Sequence, residues 1–220
     1  MTGSAIATTR GKPADPGAER SRVFLLSPAH CGGKRAAVLL NQHASFPLAR
    51  RLRSTSGVTL GEAFSFLSGL YFRGKLTYAR SFARPPRGTS GVQVITTYRG
   101  LLPADTRIRA EELAEFGHVD IRSDHPAYRT PLTRDISTLA ERAGLEMVLL
   151  GSVATGKYID VLLEILGERL LFPKDFVGRG DMSRGALLLR AARAGEELDY
   201  EPVAGAIRRG RRAPRVGERR

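Results

Sequence analysis

The chain has 220 residues, a hydrophobic share of 42% and a net charge of +13, from 35 Lys and Arg against 22 Asp and Glu. No apolar run approaches the roughly 18 residues that cross a bilayer, the N-terminus carries no signal-peptide core, and Cys31 has no cysteine to pair with, so the expectation is a cytoplasmic protein without disulfides. The basic balance makes nucleic acid the first partner to consider and an anionic membrane the second, although seven arginines (Arg208, Arg209, Arg211, Arg212, Arg215, Arg219 and Arg220) lie in the last stretch against Glu218 alone.

Residues 1–21 are rich in Gly, Ala, Thr and Pro without periodicity and read as disordered. Val23–Leu26 reads as a buried strand, broken by Ser27-Pro-Ala-His-Cys31-Gly-Gly-Lys34-Arg35 and followed by helices over Arg35–Asn41 and Phe46–Arg53. Leu60–Ala83 is the longest helical signal, with Gly69 and Gly74 as points where it breaks in two. Val92–Thr97 is rich in β-branched residues and predicts a strand, with Tyr98–Pro103 as a turn at its end. Helices are expected over Ala110–Phe116 and Pro131–Ala143, a strand over Met147–Leu150, a helix over Tyr158–Leu166 and a strand over Arg169–Phe172. A glycine-rich loop, Phe176–Gly185, precedes a helix over Gly185–Arg193 that Asp181 or Ser183 would cap. Order is expected to fade beyond Tyr200. Strands alternating with helices indicate a single α/β domain over residues 22–200, with a mainly parallel sheet flanked by helices and an arginine-rich tail over 201–220.

Gly151-Ser-Val-Ala-Thr-Gly156-Lys157 fits the spacing G-x-x-x-x-G-K between a strand and a helix. Free N–H groups at a helix N-terminus suit an anion, with Lys157 as counter-charge. Tyr158 stands where a nucleotide triphosphatase needs a Ser or Thr for Mg²⁺, so Gly151, Ser152, Thr155, Gly156 and Lys157 read as a simple phosphate site or as a tight connection. The earlier turn offers Ser27 and Lys34 in the same capacity. There Cys31, beside Lys34 and Arg35 at a helix start, is expected to have a depressed pKa, with His30 as a neighbouring base; a buried, inert thiol is the other reading.

In the late loop, Arg179, Asp181 and Arg184 lie among glycines, where Asp181 is either an acid or a cap. Arg73, Lys75 and Arg80, interleaved with Tyr71, Phe72 and Tyr78, form either a nucleic-acid-binding face or a solvated edge over core aromatics. Arg99 follows the Val92–Thr97 strand, and in a parallel sheet the loops at Ser27, Arg99 and Ser152 converge on one crevice. His30, His43, His118 and His125 with one cysteine give no zinc spacing; no metal or cofactor is expected.

Several blocks resemble a group of bacterial α/β domains related to the YaaA-type peroxide-stress proteins and to the uracil-DNA-glycosylase-like domain of archaeosine transglycosylases. These are Cys31-Gly-Gly-Lys34 after the first strand, Leu70-Tyr71 with Tyr78-Ala79, Val94–Asp105 with its Gly-Leu-Leu-Pro turn, and the glycine-rich stretch Val177–Leu189. The resemblance spans roughly residues 23–193 and departs from the group in Pro28-Ala-His30 and in Gly151–Lys157. It implies a glycosylase-like fold and an association with DNA or RNA. Binding of nucleic acid or a nucleotide is the leading expectation. A base- or nucleoside-processing enzyme using Asp181, His30 and Cys31 is the second, and a non-catalytic interaction module acting through the tail is the third.

Overall fold

A computed structural model of the chain describes residues 20–119, 121, 124–154 and 156–207. The expectations for residues 1–19, for Thr155 and for the arginine tail from 208 onward lie outside the described residues. Strand β1 (Arg22–Leu26) leads to helices α1 (Lys34–Leu40) and α2 (Pro47–Arg53), then to the short strand β2 (Val58–Thr59). Helices α3 (Leu60–Ser68) and α4 (Leu70–Phe82) follow, then strands β3 (Val92–Ile95), β4 (Leu101–Pro103) and β5 (Arg107–Ile108). Next come helices α5 (Ala110–Phe116) and α6 (Pro126–Ala140), strand β6 (Glu146–Leu150), helix α7 (Gly156–Leu166), strand β7 (Leu170–Pro173), helix α8 (Asp181–Ala194) and strand β8 (Tyr200–Pro202).

The sheet runs β4-β3-β1-β6-β7-β8. Strands β3, β1, β6 and β7 are parallel, and β4 and β8 close the edges antiparallel. This is the single α/β domain with a mainly parallel sheet that the alternation of elements indicates. Val23–Leu26 and Met147–Leu150 are completely buried, as continuous apolar runs must be when helices cover both faces of a parallel sheet. A separate ribbon pairs β2 with β5, too short to leave a periodic signal. No described helix is long and apolar enough to cross a membrane.

Several boundaries differ from expectation. The long helical segment breaks once, at Gly69 (φ 61°, ψ −129°). Gly74 instead stays inside α4, because α4 and α8 cross with almost no separation: a Cβ on Gly74 would lie 2.6 Å from the Gly185 carbonyl oxygen, and one on Gly185 would lie 2.8 Å from that of Leu70. Gly185 is therefore inside α8 rather than at its start. The helix begins at Asp181, with Gly180 as N-cap and no side-chain cap from Asp181 or Ser183. Helix α6 begins at Pro126, where a missing N–H costs nothing, and carries Pro131 in its interior. Leu101–Pro103 is an edge strand rather than part of a turn. Order continues past Tyr200, since β8 pairs with β7 and Val203 is fully buried.

Candidate functional site

From β1 the chain travels toward β3 on one side, and from β6 toward β7 on the other. The loops leaving these adjacent strands therefore part, and ligands of open α/β sheets bind in the crevice so formed. The two loops start side by side, with the Ser27 N–H donating to the Leu150 carbonyl at 3.1 Å. A cavity of about 350 Å³ opens there. His30, Cys31 and Gly32 from the loop after β1, Thr97 from the end of β3, Gly117 from the end of α5 and Lys157 from the start of α7 line it. His30 and Lys157 are its exposed polar groups; the Thr97 hydroxyl is taken up by the Phe116 carbonyl at 3.0 Å.

The expected site residues divide sharply. His30, Cys31 and Lys157 meet in the cavity, while Lys34, exposed at the head of the seven-residue α1, does not line it. Cys31 is 5% exposed, and burial pushes its thiol up to about 12. The expected depression is thus reversed, because no cation lies close enough to offset the loss of water. Ser152 is absorbed by its own turn: its hydroxyl accepts from the Ala154 N–H at 3.4 Å and its carbonyl from the Tyr158 hydroxyl at 2.9 Å. Gly156 opens α7, exposed, beside the Asp160 side chain.

Arg99 follows β3 as expected but is drawn to Glu112 at 2.6 Å. Arg179 donates to the Asp175 carbonyl at 2.8 Å and to the Ser183 hydroxyl at 3.3 Å. Arg184 is buried, donates twice to the Phe176 carbonyl (3.2 and 3.1 Å) and stands 3.6 Å from Asp181. It fastens the glycine-rich loop to α8 and has no face for a nucleic acid. Asp181 is exposed beside it and does not line the cavity.

Lys75 departs furthest from expectation. At 1% exposure it is no part of a solvated basic face. Its nitrogen lies 2.6 Å from the Ser27 carbonyl oxygen and 2.9 Å from the Ser27 hydroxyl, above the rings of Tyr71 (4.6 Å) and Phe72 (4.7 Å). Burial lowers its pKa to about 7, against the pull of the Asp181 carboxylate and with the help of Arg184. Tyr158 and Gly151 complete this cluster, for a Cβ on Gly151 would meet the Tyr158 hydroxyl at 2.8 Å and the Ser27 Cβ at 2.9 Å. The spacing held the clue: Tyr71, Lys75, Tyr78 and Phe82 share one face of α4, whereas Lys75 is turned about 200° from Arg73.

Arg73 and Arg80 do share the outer face of α4. There two adjoining cavities, of about 690 and 630 Å³, have Ser65, Leu70 and Arg73 in common. Arg80 and Arg193 line the first, Arg35 and Met182 the second, and no carboxylate lines either. Arg80 is paired with Asp105; Arg35 donates to the Phe66 carbonyl at 3.3 Å. Among the described residues no group of histidine, cysteine and carboxylate side chains could hold a metal ion. No protein-family model, curated protein or solved structure matches the chain.

Proposed function

We propose that the protein binds nucleic acid, seating one nucleotide unit in the crevice outside β1, β3 and β6. The observation that carries this reading is the convergence of His30 and Lys157 on a cavity that Gly32 and Gly117 also line, at the switch point of the sheet. Lys157 supplies a charge for a phosphate, His30 a ring that stacks on or hydrogen-bonds a base, and the bare glycines allow close approach. A polymer is favoured over a free nucleotide by the arginine-lined groove on α3, α4 and α8, which suits a phosphodiester backbone. The resemblance to YaaA-type proteins points to the same partner.

The test is fluorescence anisotropy of labelled single-stranded and duplex oligonucleotides against the full chain. Lys157→Glu is expected to weaken binding by at least about tenfold, and affinity should fall steeply between about 50 and 300 mM salt. Undiminished binding by Lys157→Glu, or affinity indifferent to salt, would remove the crevice from the account. Deleting residues 206–220 separates crevice from tail: a crevice binder retains nucleotide affinity, and a tail binder loses all of it.

A further inference from the structure

We propose that Ser27 and Lys75 form a nucleophile–base pair acting on the carbonyl of an acyl ester, a second site beside the nucleotide crevice. Ser27 stands at the carboxyl end of a central parallel strand, at the switch point where reacting groups of open sheets gather. Lys75 lies behind it, with the Ser27 hydroxyl 2.9 Å from Nζ. The contact of Nζ to the Ser27 carbonyl, at 2.6 Å, has the amine as donor. With one N–H held there, the lone pair of a neutral amine is free to turn to the hydroxyl. No carboxylate touches Lys75; rings of Tyr71 and Phe72 wall it in, and Ser27 keeps 7% exposure where Lys75 keeps 1%.

The charged and titratable groups facing the pair are Tyr71 from α4, Asp181 and Arg184 from α8, and Tyr158 from α7. Burial, opposed by the Asp181 carboxylate and reinforced by Arg184, brings Lys75 down to about 7, where it serves as a base. Serine–lysine pairs are a known variant of the hydroxyl–base arrangement.

Lys75 takes the Ser27 proton while Oγ bonds to the acyl carbon; the ester C–O bond breaks and the alkoxide leaves with the proton returned by Lys75. Water then gives a proton to Lys75 as its oxygen bonds to the acyl carbon; the acyl–Oγ bond breaks, and Lys75 returns the proton to Oγ, releasing the acid and restoring both the serine hydroxyl and the neutral amine. The products are one carboxylic acid and one alcohol from an ester and water.

The experiment treats the full chain with a fluorophosphonate, in which Ser27 would displace fluoride, and locates the adduct by peptide mass spectrometry. An adduct on Ser27 is expected, with a rate that rises through about pH 7 and then levels. Lys75→Met should slow it by about 10²–10⁴-fold, the usual contribution of a general base, and Lys75→Arg should not rescue it, since guanidinium keeps its proton. Ser27→Ala should abolish it. An adduct absent from Ser27, found only on other residues, or forming with first-order dependence on hydroxide across pH 6–9 would overturn the proposal even if the Lys75 variants failed to fold. None of these results bears on oligonucleotide anisotropy, so the two readings stand or fall separately.

Discussion

Lys75 and Cys31 show how far burial moves ordinary side chains. In the folded chain Lys75 loses its proton near pH 7, against 10.5 when unfolded. Between those values the unfolded chain holds one more proton, so stability rises with pH across that window, and the cost of the buried charge is fully felt below pH 7. Lys75→Met should flatten that rise, with a difference in slope of up to about 1.4 kcal/mol per pH unit in denaturant titrations. Equal slopes would mean that the lysine remains protonated in the fold. For Cys31, a thiol pushed up to about 12 holds on the order of a thousandfold less thiolate at pH 8 than one at its ordinary value of 9.0. Iodoacetamide should accordingly leave native Cys31 almost untouched and modify it rapidly in denaturant; similar rates in both would place the thiol in solvent.

Among elements, the α4–α8 crossing depends on two glycines. Gly74 faces the backbone of Gly185, Gly185 faces that of Leu70 and Tyr71, and a methyl on either would meet backbone atoms that have no side-chain freedom to yield. Gly185→Ala is expected to cost about 1–3 kcal/mol in chemical denaturation, the usual range for overpacking; an unchanged midpoint would show that the helices separate freely. The crossing also sets the site, because it carries Arg184 and Asp181 on α8 to the neighbourhood of Lys75 on α4. In the linear chain Gly69 and Gly74 look alike as helix breakers. Only Gly69 is one, and nothing local distinguishes it from Gly74: the second partner of Gly74 lies more than a hundred residues away.

At the scale of the whole molecule, the two ends of the parallel strands have different tasks. At the amino end Arg22 joins Glu146 at 2.6 Å and Glu197, and Tyr78 and Tyr200 hydrogen-bond at 2.6 Å, so β1, β6 and the segment before β8 are tied together. The carboxyl end is left to the crevice, His30 and Lys157. On the outer surface, among the described residues, Arg35, Arg73 and Arg193 are the cations of the groove without a carboxylate partner. Changing each to alanine should lower the slope of log affinity against log salt by about 0.7 for a single strand. A slope that stays constant would move the backbone contact elsewhere.

The amino-acid order by itself determined the class of fold and most of its elements: the apolar runs of β1 and β6 and the 3.6-residue period of α7 are local, and burial of apolar surface enforces them wherever they lie. It also marked Ser27, His30 and Lys157 as residues at strand ends. What only the tertiary structure decided was the company those residues keep. Lys34 and Lys157 look equivalent in the chain, yet only Lys157 lines the crevice, and Lys75 passes from a supposed surface cation to the innermost polar group of the site. The reason is physical: charge and type are properties of a residue, but desolvation and hydrogen-bond partners arise from segments that meet only when the sheet closes, so proton affinity and reactivity cannot be assigned until it has.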